Sequence, residues 1–123
     1  MEKAHTVTKY DDELEAIQRD LIQMGLKVEE RIGQAMESLV NRDSDLARRL
    51  IENDHLINEM EVDLDEKSVE LIARRQPTAR DLRLIILALK IVTDLERIGD
   101  QCVSIAKRVL ELNAYPPWTP FLT

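Results

Sequence analysis

The sequence predicts an all-α protein, folded as an antiparallel up-down-up bundle of three helices. Apolar residues recur at steps of three and four along almost the whole chain, as they do on one face of an α-helix, and strand-like alternation is absent. Aromatic residues make up only 3% of the chain, so the core must be built from aliphatic side chains. A length of 123 residues is enough for one such core.

The three helices are predicted over residues of about 10–40, 44–75 and 78–113. Along the first, the apolar positions run Leu14, Ile17, Leu21, Met24, Val28, Ile32, Ala35 and Leu39. The helices are similar in length, and the turns between them are short. Neighbouring helices joined by short turns pack antiparallel, which gives the up-down-up order.

Local signals mark where the predicted helices begin and end. Asp43 or Ser44 can cap the start of the second helix after the turn NRDSD. Pro77 disfavours helical geometry at the residue before it and so ends the second helix. Thr78 and Asp81 have the spacing of a capping box at the start of the third.

Charge and cysteine content exclude several classes of protein. A net charge of -7 argues against nucleic acid as a direct partner, because the phosphate backbone is itself negative. Cys102 is the single cysteine, so an internal disulfide is impossible and a reducing compartment is indicated. No apolar run approaches the length of a membrane span. We therefore expect a cytoplasmic protein.

Acidic residues interrupt the apolar faces of the second and third predicted helices. Glu96 and Asp100 lie within about 40° of each other on the third helix, in line with Leu89. On the second helix, the positions whose spacing normally carries core residues hold polar residues instead, namely Asp54, Asn58, Glu61 and Asp65. If the two helices fold back about Pro77, these two acidic stripes lie at the same height and face one narrow layer of the bundle.

Such a layer needs a compensating charge, since ionised carboxylates removed from water cost several kcal/mol each unless they are paired or protonated. An all-oxygen donor set favours hard cations such as Mg²⁺, Mn²⁺, Ca²⁺ or iron over structural zinc. The spacing alone also allows a salt-bridge network, with Arg31 as the buried cation. The chain has no glycine-rich phosphate loop and no serine or cysteine with a plausible base, so a nucleophilic enzyme is not expected.

Three blocks of sequence resemble the PhoU domain, over about residues 12–113. They are ND..IN.ME.DLD at 53–65, QPTARDLR at 76–83 and LERIGDQ..SIAKR at 95–108. The resemblance implies an antiparallel three-helix bundle that carries multinuclear metal clusters on E(D)xxxD motifs. Iron, manganese, magnesium and zinc are all candidates for the metal. The implied ligands here are Glu61, Asp65, Glu96 and Asp100, adjoined by Asp54 and Asn58.

The same resemblance implies regulation and not catalysis. PhoU proteins are negative regulators of phosphate transport and phosphate-starvation signalling, and they contact the ATPase of the phosphate ABC transporter and a sensor histidine kinase. Direct DNA binding is not expected, and contact with the membrane would be indirect, through these partners. The alternatives are a carboxylate-bridged metalloenzyme and a metal-free structural bundle.

The predicted organisation is an N-terminal arm over 1–9, the bundle over 10–113 and a tail over 114–123. Typical PhoU proteins carry two bundles in tandem, and the tail, AYPPWTPFLT, leads toward the position of the second. The chain is therefore either part of a two-repeat protein or a single repeat that forms a homodimer. In either case we expect self-association or another partner.

Overall fold

A computed structural model describes the backbone of residues 2–117 and the side chains of residues 8–117. It contains four helices: α1 (Glu2–Val40), α2 (Ser44–Glu52), α3 (His55–Arg75) and α4 (Ala79–Asn113). The described residues include no strand, which confirms the all-α prediction. None of these helices is long and apolar enough to cross a membrane.

Two helix boundaries differ from the prediction. α1 begins at Glu2, so most of the segment predicted as an arm is helical. The second predicted helix is broken at Asn53 and Asp54. There the backbone N–H of Asp54 bonds to the carbonyl of Ile51, three residues back, instead of to Leu50. The side chains of Asn and Asp compete with helical hydrogen bonds, which explains a break at this pair.

The predicted caps are confirmed. The side chain of Asp43 accepts a hydrogen bond from the backbone N–H of Leu46 at 3.0 Å, which caps α2. Thr78 accepts in the same way from the N–H of Asp81 at 3.4 Å and caps α4. α3 ends where Gln76 adopts a left-handed conformation, with φ of 46°.

The core consists of two clusters of buried side chains. The larger lies among α1, α3 and α4 and consists of Ile17, Met24, Val28, Ile57, Leu64, Leu71, Ile85 and Val92. The smaller joins α2 to α1 and α4 through Ala35, Ala47, Leu50, Cys102, Ala106 and Val109. Cys102 is thus a small core residue, and burial raises the pKa of its thiol. Small side chains at this end allow α2 to pack closely against both long helices.

Hydrogen bonds at both ends of α1 and α4 fix their register. The Tyr10 hydroxyl donates to Asp81 at 2.7 Å, near the start of the two helices. Near their other end, the Asn113 amide donates to the Arg42 carbonyl at 3.0 Å. Both pairs are 71 positions apart, so α1 and α4 run side by side with a constant offset. The guanidinium of Arg75 reaches Glu13 at 3.0 Å, which ties the end of α3 to α1.

Candidate metal centre

A cleft between α3 and α4 gathers three of the six predicted ligands. Glu61 and Asp65 line it from α3, one helical turn apart, and Glu96 lines it from α4. Leu89 and Val92 contribute apolar walls. The cleft has a volume of about 510 Å³, enough for water and ions to enter. Carboxylates and apolar side chains therefore line the same cleft.

The Glu96 carboxyl is perturbed by its surroundings. Burial raises its pKa above the ordinary 4.5, and the neighbouring carboxyls of Asp100, Glu61 and Asp54 raise it further. Every neighbour that shifts this pKa is acidic, so the surrounding negative charge disfavours the ionised form of Glu96. The structure thus places Asp54, Glu61 and Asp100 near enough to Glu96 to affect its charge. We refer to these four residues as the carboxylate cluster.

The other two predicted ligands lie in different positions. Asp65 is exposed and lines the same cleft as Glu61 and Glu96. Asn58 is also exposed, but it lines a separate groove on the outer side of α3, beside His55. It lies about 60° around the helix from Glu61, at the edge of the predicted stripe. Asn58 is therefore the predicted ligand that the structure leaves apart from the rest.

Arg31 does not pair with the acids. It is 2% exposed, and its guanidinium donates to the carbonyl of Leu50 at 2.6 Å. That carbonyl loses its helical donor at the break between α2 and α3, so Arg31 replaces the missing hydrogen bond. Its Nε has no partner among the described residues. The buried ion pair that the spacing allowed between Arg31 and the acidic stripe is therefore absent.

In the described part of the chain, no other cationic side chain forms an ion pair with the carboxylate cluster either. The ion pairs there involve different acids, mostly within one turn of exposed helix. Carboxylates that are half-buried and unpaired are costly in free energy. A bound cation would remove that cost.

Gly99 lets α3 approach α4 beside the cluster. Gly99 is buried, and it lies between Glu96 and Asp100 in the sequence. A Cβ at this position would lie 3.3 Å from Cγ2 of Ile57. Ile57 is itself 1% exposed and belongs to the larger core cluster. A side chain at position 99 would push the two helices apart, so the glycine helps to set the distance between their carboxylates.

The donor chemistry fits a hard metal ion, because every candidate ligand offers oxygen. Within the residues that the structure describes, however, no three His, Cys, Asp or Glu side chains already converge on one point suited to a metal. The glutamates at positions 61 and 96 are long enough to reach into the cleft by a change of rotamer. Metal binding by these residues stays a prediction.

The cleft is also lined by two polar residues that the sequence analysis did not single out. Thr93 lies three residues before Glu96 on the same side of α4, and its hydroxyl donates to the carbonyl of Leu89 at 3.1 Å. Glu66 follows Asp65 and adds another carboxylate to the rim. Helical spacing from Glu96 could have identified Thr93, whereas nothing in the pattern distinguished Glu66 from other exposed acids.

Comparisons with known proteins identify the family. Residues 21–109 match the PhoU domain. The chain is 45% identical over 107 residues to the phosphate-specific transport system accessory protein PhoU of Escherichia coli K12, which covers 87% of this chain and 44% of that protein. It is 44% identical over 108 residues to the PhoU homolog of Pseudomonas aeruginosa PAO1, covering 88% of this chain and 45% of that protein.

The fold agrees with these matches. The crystal structure of PhoU from Pseudomonas aeruginosa superposes with a TM-score of 0.82 at 45% identity, over 85% of this chain and 50% of that one. The chain thus spans about half the length of the relatives it matches. These relatives are named as accessory proteins and not as enzymes. The chain belongs to the PhoU family, which is not a family of enzymes.

Proposed function

We propose that this chain is a metal-binding adaptor that represses phosphate transport and phosphate-starvation signalling. The observation that carries the proposal is its 45% identity, over 87% of its length, to an accessory protein of phosphate-specific transport. An accessory protein of a transporter acts by contact with other proteins. Catalysis of its own is not part of the proposal.

The proposed partners are the ATPase of the phosphate transporter and a sensor histidine kinase, both reached from the cytoplasm. A chain with a net charge of -7 is poorly suited to bind DNA directly, so its effect on transcription would pass through the kinase. Any contact with the membrane would likewise be indirect, through these partners. Self-association is also part of the proposal.

We propose that the helices form an up-down-up bundle and that these partners bind to its surface. The bundle is supported by the hydrogen bonds that join the starts of α1 and α4, together with the ion pair from the end of α3 to the start of α1. In this arrangement the cleft between α3 and α4 opens on one side of the bundle. A partner can then contact the cleft without disturbing the core.

We further propose that Glu61, Asp65, Glu96 and Asp100, with Asp54 beside them, hold a metal ion or a small cluster of ions. Iron, manganese, magnesium and zinc remain candidates for its identity. A bound cation would offset the burial and the repulsion that together raise the pKa of Glu96. It would also change the charge of the surface that a partner meets, and metal occupancy would in this way tune docking.

Two experiments test the proposal. Deleting the gene in its host should derepress phosphate-starvation genes in phosphate-rich medium, and normal repression, in a strain with no second PhoU gene, would overturn the regulatory role. Protein purified without chelator should contain metal by plasma mass spectrometry. The double variant Glu96→Gln/Asp100→Asn should contain none, and a metal content equal to that of the wild type would overturn the ligand assignment.

A suitable control is Glu59→Gln. Glu59 is an exposed glutamate of α3 that lies in the groove of Asn58 and not in the cleft. It should leave both metal content and regulation unchanged.

A further inference from the structure

We propose that Arg31 is a positioning residue for the proposed metal centre: its guanidinium holds a hinge at Asn53 in a non-helical geometry, and this geometry fixes Asp54 beside the other carboxylates. The inference rests on the metal binding proposed above and adds to it a residue that acts through Asp54 instead of binding the metal itself. It also gives a role to a charged side chain that is buried in α1 without an acidic partner among the described residues.

The break between α2 and α3 is concentrated at Asn53. This residue has φ of -95° and ψ of 13°, whereas Asp54 already has helical angles of -56° and -34°. A helical residue has φ of about -63° and ψ of about -42°, so one continuous helix requires ψ of Asn53 to turn from 13° by about 55°. Asn53 is therefore the hinge, and its backbone angles decide how α2 is oriented relative to α3.

Arg31 occupies the carbonyl that a continuous helix would use. In an unbroken α-helix the N–H of Asp54 bonds to the carbonyl four residues back, which is that of Leu50. Here that carbonyl accepts from the Arg31 guanidinium at 2.6 Å, and the N–H of Asp54 bonds to the carbonyl of Ile51 at 3.4 Å. Two donors thus compete for one buried carbonyl, and the guanidinium holds it.

The end of α2 stabilises the buried guanidinium. Leu50 lies in the last turn of α2, where unpaired carbonyls give the helix terminus a partial negative charge that favours a cation. Arg31 is 2% exposed, and no carboxylate within the described residues forms an ion pair with it. Without the guanidinium, the buried Leu50 carbonyl would need another donor, because an unpaired buried carbonyl is costly. The N–H of Asp54 is the donor that closing the hinge supplies.

The position of the hinge leaves the Asp54 carboxylate free to bind a cation. An Asp at the start of a helix ordinarily accepts hydrogen bonds from backbone N–H groups of the first turn, which requires extended backbone angles at the Asp. Asp54 precedes α3 with helical angles, and its side chain forms no capping hydrogen bond within the described residues. It is half-buried and lies near enough to Glu96 to affect its charge. A break one residue earlier, at Asn53, thus leaves this carboxylate to the metal centre.

Closing the hinge would displace Asp54, because α2 and α3 are each held by their own part of the core. Leu50 belongs to the smaller core cluster and Ile57 to the larger one. A turn of about 55° between these two residues cannot leave both in place, and Asp54 lies between them in the chain. The other proposed ligands follow Ile57 on α3 or lie on α4, so metal affinity should depend on Arg31 through Asp54.

A double-mutant cycle on the Mn²⁺ affinity of the chelator-stripped chain, measured by isothermal titration calorimetry, tests the proposal. Arg31→Met keeps an unbranched apolar side chain and should weaken Mn²⁺ binding by about tenfold, as is typical of residues that orient metal ligands. In an Asp54→Asn background the same substitution should change the affinity by less than about twofold. Equal losses in both backgrounds, as general destabilisation would produce, would overturn the positioning role.

Hydrogen exchange of the metal-free chain in EDTA, followed by NMR, tests the hinge itself. In Arg31→Met the N–H of Asp54 should exchange about tenfold more slowly than in the wild type, because it would bond to Leu50 with helical geometry instead of reaching Ile51 at 3.4 Å. Arg31→Lys, which keeps a cationic donor, should exchange as the wild type does. Unchanged or faster exchange in Arg31→Met would overturn the hinge.

Ser38→Ala is the matched control. Ser38 is a buried polar residue of α1 like Arg31, but its hydroxyl donates to the Ala35 carbonyl within the same helix. The substitution should change neither Mn²⁺ affinity nor exchange at Asp54. An effect on Mn²⁺ affinity equal to that of Arg31→Met would overturn the specific role of the guanidinium.

Asn53→Ala tests the same hinge from an exposed position, should Arg31→Met fail to fold. Alanine favours a continuous helix, so Asn53→Ala should weaken Mn²⁺ binding several-fold, and an unchanged affinity would overturn the proposal. A wild-type chain that binds none of Mg²⁺, Mn²⁺, Fe²⁺ and Zn²⁺ would overturn this proposal together with the metal centre. Mn²⁺ binding that is insensitive to Arg31→Met would overturn the positioning role alone, so the two failures are distinguishable.

Discussion

Replacing Glu96 with glutamine is expected to stabilise the metal-free protein at neutral pH by about 1 kcal/mol. Glu96 is half-buried and faces the carboxyls of Asp100, Glu61 and Asp54. Two like charges about 5 Å apart repel by about 3 kcal/mol at an effective dielectric constant of 20 and by about 1 kcal/mol in water. Because the cleft is open to solvent, the lower figure applies. Glutamine keeps the shape of the side chain and removes this repulsion.

The effect should depend on pH, with a sign that follows from the raised pKa of Glu96. A group whose pKa is higher in the folded state binds its proton more tightly there, so it favours folding at low pH. That contribution is complete below the ordinary value of 4.5 and is lost as the pH rises through the raised value. The wild type should therefore lose stability over this window, whereas the loss should be smaller in Glu96→Gln.

Urea unfolding in excess EDTA, followed by circular dichroism at pH 5 and pH 8, measures this difference. The advantage of Glu96→Gln over the wild type should be larger at pH 8 than at pH 5. Glu59→Gln, an exposed change on α3, should show no advantage at either pH. An equal advantage at both pH values, or none at pH 8, would contradict the electrostatic account of the cluster.

Two further predictions concern the packing around the cluster. Gly99→Ala should lower the free energy of unfolding by about 1 kcal/mol, because its Cβ would meet Ile57 at 3.3 Å. Gly33→Ala, whose Cβ would meet nothing within 4 Å, should instead raise it by up to about 1 kcal/mol. Urea unfolding of dilute protein measures both. Arg31→Ala should lower the free energy of unfolding by about 2–4 kcal/mol, since it leaves the Leu50 carbonyl unpaired. Arg31→Lys should lower it less. Equal losses in the two variants would contradict the role of the hydrogen bond.

Local chemistry explains which helix ends were predictable. The ends marked by caps, at Asp43 and Thr78, were found because a side-chain oxygen bonds to a nearby N–H. The start of α1 was missed because the prediction followed apolar periodicity, and a helix can continue where its apolar face stops. The break at Asn53 and Asp54 was missed because a continuous apolar pattern on both sides concealed it.

Spacing and height predicted that α3 and α4 carry acids to one side, where Glu61, Asp65 and Glu96 line the same cleft, since helical geometry determines which residues share a face. The same spacing included Asn58, which lines a separate groove.

The role of Arg31 was not predictable. It depends on the carbonyl of Leu50, which lacks a helical donor only because the helix breaks after Glu52. The Leu50 carbonyl is available to accept a hydrogen bond from Arg31 only where the helix is broken. It cannot be identified as an acceptor while the helix is assumed to be continuous. The metal itself remains a prediction.

The most direct test of the account is made in the host. The substitutions Glu96→Gln and Asp100→Asn are introduced together into the chromosomal gene, with Glu59→Gln as the control strain. A phosphate-starvation reporter is then measured in phosphate-rich medium, and the amount of protein is checked by immunoblot. The account predicts that the reporter is derepressed in the double variant alone, at unchanged protein level. Repression equal to that of the wild type would contradict the claim that metal held by these carboxylates tunes the regulatory contacts.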